Sequence, residues 1–267
     1  MITKDKTSDV LLISLVLILI INGLTLNFTE ATSLAPNRVY AQVHDPSPVL
    51  ISSPTNITQP GYYELAANLN GTQSAGYCIG IFASNVVLNG NGHWLNGTGS
   101  GAGIYVSASA SNVTIESIKI VQYNYGINIG GSYITVANST ITSNSYGIYI
   151  GWGSYNTVTN SIIANNSDGI DIEYGSNITV ANSTITSNSY GIDIGGSYIT
   201  VANSTITSNY IYGIYIYSDS DYNTVTNSII ANNSDGIDIG GSYITVANSI
   251  ITSNNYGINI GGSNNTV

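Results

Sequence analysis

The chain has 267 residues, of which 7% are charged and 43% apolar; roughly a quarter charged is usual. That much apolar content excludes a disordered chain. After Ala41 eleven acids face one base, Lys119, and so acidic a chain is unsuited to binding a phosphate backbone, which excludes nucleic acid as a partner.

The first 41 residues read as an export segment or an N-terminal anchor. Lys4 and Lys6 precede a nearly unbroken apolar run, Val10 to Leu24, and Val39-Tyr40-Ala41 offers a cleavage site before Gln42. Uncleaved, the run is the one segment able to hold the chain to a membrane. Either way the remainder is expected to be secreted or displayed at the cell surface. Residues 42–79 are expected to form an N-terminal cap and first coil, and 80–267 a repeat array. The single cysteine, Cys78, cannot form an intramolecular disulfide and reads as a small buried apolar residue.

The repeat decides the fold. A Gly-Ile-x-Ile (or Val) unit begins at Gly103, Gly126, Gly147, Gly169, Gly191, Gly213, Gly236 and Gly257, always 21 to 23 residues apart, and Gly80 extends the series backwards. Within one period, alternation places Ile148 and Ile150 on one face and Tyr149 on the other. Val158 and Ile163 then follow as inward residues of two further short strands. Apolar columns recur: Ile127 to Ile258, Val136 to Val246 and Ile141 to Ile251. No coil buries its own apolar face, but coils stacked about 4.8 Å apart do so. The expected fold is all-β: a right-handed parallel β-helix of about 22 residues per coil, with three strands per coil.

Two Asn columns accompany these. One is Asn138, Asn160, Asn182, Asn203, Asn227 and Asn248; the other is Asn144, Asn166, Asn188, Asn209, Asn233 and Asn254. Both are read as structural, through tight turns and stacked amides. The first is placed inward. Of the Asn-x-Ser/Thr sequons, those at Asn138, Asn182 and Asn203 are accordingly set aside, and Asn56, Asn70, Asn96, Asn112 and Asn177 are the candidates for N-glycosylation.

Pro60-Gly61-Tyr62-Tyr63-Glu64-Leu65 and Asn85-Val86-Val87-Leu88-Asn89-Gly90-Asn91-Gly92-His93, with the repeats after them, resemble the secreted β-helix proteins of archaeal surfaces. These are NosD-like, or carbohydrate-binding and sugar-hydrolase, domains of the pectin-lyase-like superfamily. The resemblance covers roughly residues 50–267 and implies a carbohydrate connection. Its copper association does not carry over, because after Ala41 only Cys78, His44 and His93 could serve as soft ligands.

The resemblance to pectate lyases would require a basic residue and Ca²⁺-binding acids. Lys119 projects outward between Ile118 and Ile120 with no Asp in its coil, which argues against elimination. Glycoside hydrolysis needs two nearby carboxylates. Asp171 and Asp193 share the outward slot of adjacent coils, Asp168 opens the same strand, and Asp235 with Asp238 repeats the Asp-Gly-Ile-Asp unit. The slot varies, however, and that unit lies in a duplicated block, Asn156–Ile172 and Asn223–Ile239, identical residue for residue. Duplication copies acids without regard to chemistry. The expectation is therefore a structural or adhesive surface protein without catalytic machinery. The alternatives are a hydrolase using Asp171, Asp193 and Asp168, and a weak Ca²⁺ site. Sugar binding would fall on Asp171, Asp193, Asp235, Asp238, Tyr149 and Tyr215, with surface or extracellular polysaccharide as partner. Outward Thr pairs such as Thr184/Thr186 express strand propensity. The recurrent tyrosines are expected to stack coil on coil. Finally, the chain stops at Val267 inside a half-built coil, so the sequence is expected to continue or its end to meet another chain, end-to-end self-association included.

Overall fold

The computed structural model describes residues 26–27, 42–43 and 47–267. It divides into two units, Met1–Ser47 and Pro48–Val267. In the first, Leu26–Asn27 pairs antiparallel with Gln42–Val43; the remainder of the expected export segment lies outside the described residues. No helix among the described residues is long and apolar enough to cross a membrane.

The second unit is a right-handed parallel β-helix of about nine turns, built of three parallel sheets of 10, 10 and 9 strands. In each coil a five-residue strand such as Tyr146–Ile150 lies in the first sheet, Thr157–Thr159 in the second and Ile162–Ala164 in the third. Register follows the sequence columns: Ile148 pairs with Ile170, Val158 with Val180 and Ile163 with Ile185. These side chains are fully buried, so the apolar columns become continuous aliphatic ladders through the interior.

Polar ladders close the corners between strands. The Asn144 column is buried from Asn144 to Asn233 and half-buried at Asn254, and each amide bonds the next: Asn166 Nδ2 donates to Asn188 Oδ1 at 3.0 Å, and the Asn166 backbone N–H donates to the same oxygen at 2.9 Å. The glycine at the second position of these first strands lies against this ladder. A Cβ built on Gly147 would sit 2.5 Å from the carbonyl oxygen of Gly169 and 3.0 Å from Asn166 Nδ2, so no side chain fits there.

The other Asn column corrects the expectation. Asn138, Asn160, Asn182, Asn203, Asn227 and Asn248 are exposed, not inward. Each has a left-handed backbone, with φ of 50–51°, and that turn breaks the alternation of sides that the inward placement assumed. The inward slot passes to the next residue: Ser139, Ser161, Ser183, Ser204 and Ser228 are buried. Each serine hydroxyl donates to a carbonyl two residues back and accepts a backbone N–H from the coil before, as in Ser161 N–H to Ser183 Oγ at 3.2 Å. Burial therefore no longer sets Asn138, Asn182 and Asn203 apart from the exposed Asn56, Asn70, Asn112 and Asn177 and the half-buried Asn96.

Cys78 is buried, and burial pushes its thiol up to about 11. The tyrosines do stack along the coils. Tyr133 lies on Tyr155 with ring centroids 5.0 Å apart, and Tyr198, Tyr222 and Tyr243 form a second stack at 5.2 and 4.8 Å.

Candidate functional site

Coil interiors are nearly uniform; the turns after the first strand are not. Five residues, Gly195–Ile199, separate Ile194 from the next strand. Six do so after Ile172 and seven after Ile216, where Tyr217–Asn223 intervene. The small Gly195-Gly196 turn thus lies between two larger ones. The result is a notch with Gly195 at its base, Glu173 and Tyr174 on one side, and Tyr217, Asp219 and Ser220 on the other. It opens onto a cleft of about 700 Å³ that continues along the outer face of the first sheet, past Asp171, to Tyr149, Tyr146 and Tyr125. Ligand sites commonly have this size.

The cleft is acidic and aromatic. Asp171 pairs in register with Asp193 of the next coil, which places them one rung, about 4.8 Å, apart. Asp193 occupies an outward slot yet is 8% exposed, flanked in register by Asp171 and Tyr215. Burial, and then the charges of Asp168 and Asp171, push Asp193 up to about 7. Burial, and then Asp168 and Glu173, push Asp171 up to about 6. Asp168 is raised by burial alone. The Tyr149 hydroxyl donates to the Glu173 carboxylate. Tyr217 is pushed up to about 12, first by burial and then by Asp193 and Asp171.

Two buried side-chain polar atoms among the described residues have no hydrogen-bond partner, Asp193 Oδ1 and Ser220 Oγ. Both belong to this region, since Ser220 lines the cleft and Asp193 pairs with cleft-lining Asp171. Among the described residues no group of three or more His, Cys, Asp or Glu side chains is placed to hold a metal ion.

Of the residues singled out from sequence, Asp171 and Tyr149 line the cleft, Asp193 lies in register beside Asp171, and Tyr215 lies in register beside Asp193, two rungs from Asp171. Asp235 and Asp238 stand apart. Asp238 is three rungs from Asp171, and Asn259 of the next coil donates to its carboxylate at 3.3 Å. Sequence reasoning missed Glu173, Tyr174, Gly195, Tyr217, Asp219 and Ser220. The signal for them was available in the unequal turn lengths within an otherwise constant period.

Comparison with known proteins bears on what such a cleft does. No curated protein sequence is similar enough to match. Among solved structures, the Dettilon tailspike protein superimposes with a TM-score of 0.66 at 16% identity, over 75% of this chain and 46% of its own. DFA-IIIase from Arthrobacter chlorophenolicus A6, in complex with GF2, gives 0.59 at 12% identity over 70% and 55%. The same enzyme without its lid gives 0.60 at 13% over 76% and 69%. The chain thus spans about half the length of the first two. At these identities the likeness concerns the fold alone. It nonetheless corrects the expectation of a chain without catalytic machinery, because enzymes are built on this same coil and a repetitive β-helix is no argument against catalysis. The sequence model described as "Right handed beta helix region" matches residues 67–230 and 125–267. With that match covering well over half of the chain and the three parallel sheets in place, the protein belongs to the right-handed β-helix family.

Proposed function

We propose that this β-helix is a carbohydrate-active enzyme that hydrolyses a glycosidic bond in the cleft around Asp171. The observation that carries the reading is the pairing of a cleft-lining carboxyl raised to about 6 with a second carboxylate, Glu173, two residues further along and held by Tyr149. An acid raised toward neutrality can give a proton at working pH. Asp171 donates its proton to the leaving glycosidic oxygen as the bond to the anomeric carbon breaks. Glu173, two residues further along the chain, takes a proton from the attacking water. Burial first, and then the charges of Asp168 and Glu173, keep Asp171 protonated, and Asp193 extends the acidic cluster one rung away. Tyr125, Tyr146, Tyr174 and Tyr217 offer ring faces and edges for sugar rings. That the neighbouring DFA-IIIase structure holds GF2 supports carbohydrate as the ligand class. A secreted or surface location, read from the basic and apolar start of the chain, would place the cleft where polysaccharide is met.

Release of reducing ends from a panel of polysaccharides tests the reading. Turnover by the wild type that Asp171→Asn and Glu173→Gln each remove supports it. Absence of turnover on every polymer, or turnover that survives both substitutions, overturns it.

A further inference from the structure

We infer that the cleft selects glycans that carry no acidic groups, neutral or amino-bearing, and rejects polyuronates and sulfated chains. The inference rests on the cleft being the carbohydrate site. Its first ground is charge. Asp171, Glu173 and Asp219 line the cleft, and Asp193 lies in register beside Asp171. The one base after Ala41, Lys119, sits on the third sheet, in the strand Lys119–Val121. Among the described residues no cation lines the cleft to receive a carboxylate or sulfate, so an anionic chain would meet like charge in a partly desolvated groove.

The second ground is independent of charge. Ser220 Oγ and Asp193 Oδ1 are buried without partners, and buried polar groups are ordinarily satisfied. A hydroxyl both donates and accepts, so hydroxyl-rich sugar rings can supply what these two atoms lack without adding charge. The third ground is the cleft wall itself: the tyrosine rings of the first sheet suit the apolar faces of uncharged pyranose or furanose rings.

Equilibrium binding of the full chain, measured by calorimetry, tests this with polymers of different charge, two of them sharing one backbone. Polygalacturonate is compared with the galactan made by reducing its carboxyl groups, and chitosan supplies the amino arm. The reduced galactan or chitosan, or both, should bind at least roughly tenfold more tightly than polygalacturonate at low salt. Raising the salt should narrow that gap through screening. Asp219→Asn should narrow it too, through the relative affinities rather than through loss of all binding. Polygalacturonate binding as tightly as its reduced form overturns the inference, and so does failure of every polymer to bind. Binding of the uncharged polymer without turnover would sink the proposed hydrolysis and leave the selectivity standing. Turnover with preference for the uronate would do the reverse.

Discussion

Two stretches of this protein have identical sequences and different surroundings. Asn156–Ile172 and Asn223–Ile239 match residue for residue, including Asp-Gly-Ile-Asp. After the first copy the chain continues through Glu173 and Tyr174, and the next rung brings Asp193. After the second it continues through Gly240-Gly241, and the next rung brings Asn259. Asp171 consequently lines an acidic cleft, whereas Asp238 accepts a hydrogen bond from a neutral amide. The repeat supplies the strand and the position of the acid. The neighbouring coils and the length of the turns decide whether that acid has chemistry to do.

The comparison breaks most sharply at the level of rate. Asp171→Asn should lower hydrolysis by about 10²–10⁴-fold, the range for a general acid, while the same change at Asp238 should leave the rate within about twofold. Initial rates of reducing-end release for the two variants decide it, and equal losses would show that the repeat, not the cleft, carries the activity.

Stability separates the two Asn columns. Asn188→Ala removes both the donor to Asn209 and the acceptor for Asn166 inside the coil. It should cost about 3 kcal/mol, the order expected for buried partners left unpaired. Asn203→Ala, at an exposed left-handed position, should cost about 1 kcal/mol, and Asn203→Gly close to nothing. Shifts in the denaturation midpoint check this. Equal costs at Asn188 and Asn203 would contradict the assignment of one ladder inside and one column outside.

The raised acids also fix a pH dependence. Asp171 and Asp193 bind protons more tightly when folded than when unfolded. Their favourable contribution is complete below the unfolded value of about 4 and is lost as pH rises through about 6 and about 7. Asp193→Asn should therefore flatten the fall in melting temperature across that window, and a steeper fall in the variant would reverse the sign of the argument. The smallest effect is expected at the wall of the notch. Tyr217→Ala should weaken glycan binding by about two- to tenfold, as for one lost aromatic contact, with little change in Tm because Tyr217 is exposed.

Much of this was legible in the sequence. Constant spacing and alternating Ile and Val identify the coils, and the register of Ile148 with Ile170 follows directly. The stacked amides of the Asn144 column were legible too, because the same residue recurs in every coil, but their burial was not, since alternation gives the inward place to the Asn138 column. The exposure of Asn182 was not, because one left-handed residue changes which side the chain presents and hands the interior to Ser183. The cleft was missed for a different reason. Asp171 and Asp193 could be stacked on paper, but Asp193 is buried among neighbouring coils, beside a notch set by Gly195 and the long Tyr217–Asn223 turn. Repeat averaging discards such departures from the period, and the function is built from them.

The central claim is that neighbouring coils make the Asp171–Asp193 pair an acidic centre poised near neutrality. Carbon-13 NMR titration of the aspartate carboxyl groups tests it most directly, with Asp171→Asn and Asp193→Asn used to assign the signals. The account predicts that the pair titrates with midpoints of about 6 and about 7, and that removing Asp171 lowers the midpoint of Asp193. Both groups titrating near the ordinary aspartate value of about 4, with neither responding to loss of the other, would contradict it.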